Sequence, residues 1–536
     1  MSANSQKLQQ RAALIAILNK YRNVNKIDNS ELEIDIKTVC EFEDKEFVFK
    51  TLLAEIISSN GIYADICSII AFESIDNDVF QNVAIKFLQD KKVEDNKKFI
   101  IMSLMRQKGL DFNYRDISNY VDNPEELAHS GVENFLNNAL VDPEVQIDLL
   151  DFFINIPEEE KIYFLDNLKN EFSGDDLANA FSILAQLNLE GAEFEIVFET
   201  LIELNSPYSL SGLEFILNNN KLDTKTKAKL KRVIKKIKTE NPKFVNGFLT
   251  KDSKVYKCFI SFIDGKSNFS LVFSRKRKDE TIDALFFTIN ITQGITSCMG
   301  FCSILEDNFA TIIKRLFSDS MPVNIAPVAL KGLYSHYLSK TDENNYELPY
   351  EFIVWKNMLN DVRDLNYDIS EFLNSKLEVT KLTEAKVKKI INAVVMETWF
   401  YSSGENKFVD EIIEQIEKKH CLDLEKINSI VSDSIDKNFL NNKEFMAELQ
   451  SKLLLQSYVS SLAKLKLTSA CAYSLCFKSV YTKMLITSMI DKSIYCALND
   501  KICELDDDNM FKKGSKTKFK KAELETLMAQ IEAKWN

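Results

Sequence analysis

The sequence predicts a mainly α-helical fold: an α-solenoid of stacked helical hairpins, a small antiparallel α+β module inserted after it, and a C-terminal helical region. Three observations carry this expectation. Backbone breakers are scarce, with 13 Gly and 8 Pro in 536 residues, well below the roughly 7% and 5% of average usage. Apolar residues recur at helical intervals from Asp142 to Lys238, in segments of near-constant spacing. After Pro242 the pattern becomes strand-like, rich in Phe, Val, Ile and Tyr.

Within the array, Val145, Leu149, Phe153 and Ile156 mark one helix face, and Ile162, Leu165, Leu168 and Phe172 the next. Leu177, Phe181, Leu184 and Leu187 follow, then Phe194, Val197, Leu201 and Leu204. Equivalent positions Val145, Leu177 and Leu210 lie 32 and 33 residues apart, the period of a two-helix repeat. Asp142-Pro143-Glu144 and Ser206-Pro207 each set a capping side chain before a proline at the first helical position. One hairpin cannot bury its apolar face, whereas stacked neighbours can, which yields an elongated superhelix with a concave surface. The array closes on Thr224 to Glu240, with Leu230, Val233, Ile234 and Ile237 inward. Its outer face carries eight cations: Lys225, Lys227, Lys229, Lys231, Arg232, Lys235, Lys236 and Lys238. Asn241-Pro242 stops this helix.

The pattern divides the chain into four regions. Residues 1–120 read as irregular N-terminal helical repeats, with apolar faces over Glu46 to Ser58, Ile62 to Phe72, Val79 to Leu88 and Asn96 to Arg106. Residues 121–245 hold the regular hairpins. In 246–320, Val255 to Ile263, Phe269 to Ser274 and Ala284 to Thr292 predict three antiparallel strands, with a helix over Ile304 to Phe317 covering one face. Residues 321–536 form the C-terminal helical region, with helices expected over Pro327 to Leu338, Tyr350 to Leu359, Lys381 to Phe400, Phe408 to Lys419, Asn442 to Lys464 and Ala470 to Leu498. A basic tail, Lys512 to Lys521, precedes a last helix at Ala522 to Trp535.

Composition narrows the class. Ten cysteines lie scattered without the close spacing of a disulfide framework, and the apolar run Ala12 to Leu18 is too short for a secretory signal. The longest apolar segments, such as Leu467 to Phe477, fall short of the roughly 20 residues that span a bilayer. The expectation is a reduced, cytoplasmic protein with no membrane partner. Charge is asymmetric: residues 1–220 hold 18 Lys plus Arg against 39 Asp plus Glu, and the remainder 49 against 41. The two parts therefore face different partners, or each other.

The array resembles HEAT-type (armadillo-like) repeats, and its combination with the strand module and the C-terminal helices is similar to bacterial HEAT-repeat proteins of unknown function. The residues that carry the likeness are Lys227-Ala228-Lys229-Leu230-Lys231-Arg232, Phe259-Ile260-Ser261-Phe262-Ile263-Asp264-Gly265, the run Leu348 to Trp355, and Glu397-Thr398-Trp399-Phe400. It covers residues 140–480. The resemblance implies an interaction scaffold and brings no catalytic residues with it.

The catalytic inventory is sparse. There is no Gly-rich phosphate loop, no His-Glu-x-x-His and no Gly-x-Ser-x-Gly elbow. His129, His336 and His420, the three histidines, are far apart in sequence and read as structural or exposed. Cys298 and Cys302 have a spacing a metal can use, but nothing nearby completes four ligands, so buried packing is expected; Cys471, Cys476, Cys496 and Cys503 read as core in the same way. Asp506-Asp507-Asp508-Asn509 lacks the Gly and Glu of a calcium loop and reads as a solvated turn. Trp355 and Trp399, like Tyr350 and Phe352, read as packing residues.

The function expected from these observations is a non-enzymatic protein–protein interaction scaffold, without cofactor or metal, holding a protein partner. The alternative is a nucleic-acid-binding solenoid that neutralises phosphates with Lys231, Arg232, Lys235 and Lys236 of the basic helix and Arg275, Lys276, Arg277 and Lys278 of a hairpin loop. Against it stand a pI near 5.1 and the option that the basic helix docks on the acidic repeats.

Overall fold

The computed structural model describes residues 3–22, 29–59, 61–110, 120–242, 244, 253–318, 321–365, 369–418, 421–477, 480–510 and 520–534. The chain is mainly helical with one small antiparallel sheet. It divides into two compact units, Met1–Phe135 and Leu136–Asn536.

The first unit contains α1 (Ala3–Tyr21), α2 (Asn29–Cys40), α3 (Lys45–Ser58), α4 (Ile62–Ser74), α5 (Asn77–Leu88) and α6 (Asp95–Gln107), and the boundary falls within α7 (Pro124–Ala139). The four helices expected between residues 46 and 106 are present as α3 to α6. Each buries the stripe its spacing predicts: Phe49, Leu53, Ile66, Ile70, Phe80 and Ala84 close the core, and the Phe49 and Phe80 rings meet at 4.1 Å. Lys98 is buried because its ammonium donates to the Tyr120 carbonyl at 2.6 Å and faces Asp95 at 3.6 Å.

The second unit opens with the helices α8 (Pro143–Asn155), α9 (Glu158–Glu171), α10 (Asp175–Leu184), α11 (Gly191–Leu204), α12 (Leu210–Asn219) and α13 (Thr224–Glu240). The Asp142 cap acts as the sequence predicts, and α13 has a cap of its own. Asp142 accepts from the Glu144 amide at 2.9 Å with Pro143 at the first position of α8, and Asp223 accepts from the Lys225 and Thr226 amides. Ser206-Pro207 instead starts a 3-10 turn, Pro207–Ser209, that runs into α12. α8 packs on α10, α10 on α12, and α9 on α11. Buried amides fix the register: Gln146 and Asn179 both donate to the Ala139 carbonyl, at 2.6 and 2.9 Å. Ile162, expected inside, is 41% exposed, because the buried stripe of α9 narrows to Leu165 and Leu168.

The sheet has five strands where three were expected: β1 (Ser253–Ile260), β2 (Asn268–Arg277), β3 (Ile282–Asn290), β4 (Gly294–Ile304) and β5 (Val323–Asn324), in the order β4-β3-β2-β1-β5 and antiparallel throughout. β4 escapes a hydrophobicity reading because Gly294, Thr296, Ser297, Gly300 and Ser303 dilute its apolar residues. Both faces of the sheet are apolar. Val272, Ile282, Ala284 and Phe286 lie under α14 (Glu306–Leu316), packed on Phe309 and Ile313. Phe269, Leu271, Phe273, Leu285, Phe287 and Cys298 face the other way, into a second and larger core.

That larger core is completed by the C-terminal helices: α15 (Pro327–Glu343), α16 (Glu351–Trp355), α17 (Ile369–Asn374), α18 (Glu384–Ile391), α19 (Lys407–Lys418), α20 (Leu424–Ser434), α21 (Lys443–Leu462), α22 (Lys466–Cys476), α23 (Thr482–Met510) and α24 (Lys521–Glu532). Residues 253–318 and the C-terminal helices thus share one core. Tyr334 and Tyr337 of α15 set their rings against Phe287 and Phe269 at 5.3 Å each. Trp355 and Trp399 are 1% exposed, as expected for packing residues. Gly300 admits the Trp355 ring: a Cβ there would lie 2.3 Å from ring carbons. Several expected boundaries move. Lys381 to Phe400 is only partly helical, ending at Ile391 before a 3-10 turn, Val394–Met396. The stretch from Ala470 to Leu498 is two helices, α22 and α23, and Asp506 to Asn509 continues α23 instead of making a turn.

A buried polar joint ties the β1–β2 connection to these helices. Lys452 of α21, 1% exposed, donates to the Gly265 carbonyl at 2.5 Å, with the Trp399 and Tyr401 rings 5.1 and 5.6 Å from its ammonium. Around it the Gly265 amide donates to the Thr398 carbonyl at 2.8 Å and the Trp399 indole to the Ile263 carbonyl at 2.9 Å; Gln456 accepts from the Ile263 amide at 3.2 Å. Only glycine fits at 265, since a Cβ would lie 2.2 Å from the Phe400 carbonyl oxygen. Burial lowers the Lys452 ammonium to about 8 from an ordinary 10.5, although Glu448 and Asp264 partly offset it. Between those two values the unfolded chain holds the proton and the folded chain does not, so this group makes stability rise with pH there and adds no slope below pH 8. Relative to Lys452→Met, the wild type gains about 2–3 kcal/mol in urea denaturation between pH 8 and 10.5. A difference independent of pH would contradict this.

Candidate functional site

Helices α8 to α12 with their connections, and residues 342–356, line an open cleft of about 800 Å³. Its first wall comes from the ends of α8 and α9 and the α10–α11 connection. There a 3-10 turn, Ala185–Leu187, is closed by Asn188 in the left-handed region at φ 57°, a conformation that Asn tolerates, and the turn presents Gln186 to the cleft. Phe215 of α12 adds to this wall. The opposite wall is Tyr346 to Tyr350, Phe352, Ile353 and Lys356. The Tyr350 hydroxyl donates to Asp151 of α8 at 3.3 Å and steadies this wall. Lys356 enters the cleft because α16 tightens after Trp355 into a 3-10 turn, Lys356–Leu359, whose Met358 and Leu359 are fully buried.

The electrostatics of the cleft are uneven. Five carboxylates line it, Glu158, Glu190, Glu193, Asp342 and Glu347, against the two ammoniums of Lys161 and Lys356. Lys161 is neutralised by Glu158 at 2.5 Å and sits 5.5 Å from the Phe153 ring. Glu193 is raised above the ordinary carboxylate range, mainly by burial, with the Glu158 charge adding to it and Lys161 opposing. Lys356 donates to the Gln186 side-chain oxygen at 2.5 Å, with the Phe215 and Phe352 rings 5.9 and 5.7 Å from its nitrogen. Burial lowers it to about 8. No carboxylate lies within 4 Å of it among the described residues. Five aromatic side chains, Phe153, Phe215, Tyr346, Tyr350 and Phe352, supply the rest of the surface. Such a site can hold an elongated ligand bearing both apolar and charged groups.

The cations and cysteines singled out from sequence lie elsewhere, whereas Tyr350 and Phe352, read as packing residues, line the cleft. All eight cations of α13 are exposed, including Lys231, Arg232, Lys235 and Lys236. Lys238 pairs with Glu214 at 2.6 Å and Lys236 with Glu240 at 3.9 Å; the other six have no carboxylate within 4 Å among the described residues. The basic run at 275–278 is not the free loop expected. Arg275 to Arg277 finish strand β2, and the alternation of the strand turns Arg275 inward. Arg275 is 1% exposed, donates to the Met358 carbonyl at 3.1 Å and pairs with Asp361. Lys276, on the other face, pairs with Glu280 and Glu306, and Arg277 with the buried Asp283. Lys278 is exposed in the β2–β3 turn.

Cys298 and Cys302 both belong to β4, where a four-residue step along a strand separates them by roughly 13 Å, too far to share one metal ion. Cys298 is buried and its thiol is raised by burial; Cys302 is half-buried and pushed up to about 12. Cys471 is buried and Cys476 and Cys496 are half-buried, but Cys503 is exposed, contrary to expectation. Among the described residues no group of three or more His, Cys, Asp and Glu side chains could hold a metal ion. His336 stacks edge-on with Tyr337 on α15, His129 lies in α7 of the first unit, and His420 falls outside the described residues. Sequence reading missed the cleft because its walls are far apart in the chain, Gln186 and Lys356 by 170 positions. The one local signal was Lys356 itself, a cation directly after the apolar run Phe352 to Trp355.

Fold and site together define a mainly helical protein with a five-stranded antiparallel sheet and a mixed-charge cleft. Compared with protein families, curated proteins and solved structures, the chain finds no match in any of the three.

Proposed function

We propose that this chain is a non-enzymatic interaction protein of the HEAT-like helical-repeat type, which holds a segment of a protein partner in the cleft between its hairpins and residues 346–356. The observation that carries the reading is the cleft: open, about 800 Å³, and lined by five aromatic rings beside charged groups, a composition suited to a peptide chain. The solenoid reading draws support from the neighbour-to-neighbour packing of α8 on α10 on α12 and of α9 on α11. A reducing, cytoplasmic setting accords with ten free thiols, and no described helix is long and apolar enough to cross a membrane. A photo-crosslinking residue in place of Tyr346, 46% exposed at the cleft rim, tests the reading against the same residue at Val379, 66% exposed and away from it. Adducts to one recurrent protein at position 346 alone are expected. Equal labelling at both positions would refute the proposal.

A second reading, a polyanion-binding protein, is favoured by one observation: six exposed cations of α13 lack carboxylate partners among the described residues. The pairing of Arg275, Lys276 and Arg277 restricts it to that helix. Fluorescence anisotropy with RNA and DNA decides it. The reading requires binding at low salt that weakens steeply as salt rises and that Lys231→Glu/Lys235→Glu reduces at least tenfold. Absence of low-salt binding eliminates it.

A further inference from the structure

The cleft contains a charge pattern that a generic protein-binding groove does not need. Four of its carboxylates, Glu190, Glu193, Asp342 and Glu347, have no ammonium or guanidinium within 4 Å among the described residues, and Lys356, which has no carboxylate partner among them, lies 5.9 and 5.7 Å from two phenyl rings. A lysine ammonium has three donors, and Gln186 takes one. A desolvated cation without a counter-ion is unfavourable in the free protein, and a bound anion would relieve that penalty. The surrounding carboxylates decide which anion. They oppose a phosphate or any multivalent anion, whose charge they would repel, but accommodate a single carboxylate on a ligand that also brings cations.

Resting on the protein-binding reading above, we propose that the cleft recognises the free C-terminus of a basic peptide. The terminal carboxylate is received by Lys356 beside Gln186, and Lys or Arg side chains near that end are received by Glu193, Glu190 and Glu347. The rings of Phe215 and Phe352, 5.9 and 5.7 Å from the ammonium, take the apolar stems of the same residues. Lys161 is not the receptor, because Glu158 already neutralises it. Neither is α13, whose cations are open to water and offer no enclosing wall.

Two arrays of the same random heptapeptides test this with the full-length protein, one set ending in free carboxylates and the other in amides. The proposal expects binders enriched in Lys or Arg at the last positions of the free-carboxylate set only. Amidation, or Lys356→Met, should weaken the best of them at least tenfold, and Glu193→Gln should reduce the preference for basic residues. If the same basic peptides bind equally well as amides, the role of Lys356 is overturned while the cleft remains a protein-binding groove. If no peptide binds in either set, both readings fall. Should Lys356→Met fail to fold by circular dichroism, the comparison of carboxylate with amide on the wild type decides alone.

Discussion

A sheet that is apolar on both faces must be covered twice, and most of the second unit follows from that requirement. On β2 and β3 the side chains at even and odd positions are equally apolar: Val272, Ala284 and Phe286 on one face, Phe269, Leu271, Phe273, Leu285 and Phe287 on the other. Burying either face is worth roughly 1.5–3 kcal/mol for each large side chain. The short α14 is enough for the smaller face. The larger one draws in α15, α16 and the helices beyond, and the buried joint of Lys452, Gln456, Trp399 and Gly265 sets their angle against the β1–β2 connection.

The cleft is a by-product of that cover. α16 packs through Trp355 against Gly300 of β4 and also touches α8 of the array, so one short helix spans the two structures. The tightening of α16 into a 3-10 turn, needed to bury Met358 and Leu359, is what swings Lys356 out of the core and into the space facing Gln186. Arg275 depends on the same turn, since its guanidinium is held by the Met358 carbonyl and Asp361. A cation expected at the surface is thus part of the frame, while one that drew no notice lines the candidate site.

What the sequence made legible was local. Asp142-Pro143 announced a helix start, and the stripes of α8, α10, α11 and α13 are buried largely as read. Trp355 and Trp399 were correctly assigned to packing. Where local chemistry is weak, the reading failed: β4 hides behind its glycines and hydroxyls, and 392–400 has an apolar pattern but folds into turns to let Trp399 and Phe400 reach the sheet connection. The basic run 275–278 read as a loop because charge outweighed strand alternation. The cleft was illegible for a different reason: proximity between Gln186 and Lys356 is a property of the tertiary fold, with no trace in spacing.

The central claim is that the sheet and the C-terminal helices are one cooperative body, on which the geometry of the cleft rests. Native-state hydrogen exchange tests it most directly. The slowest amides of β2 and β3 and those of α21 and α23 should exchange through the same opening, with one free energy and one denaturant dependence. Sheet amides that stay protected while α21 and α23 open separately, at a lower free energy, would contradict the account.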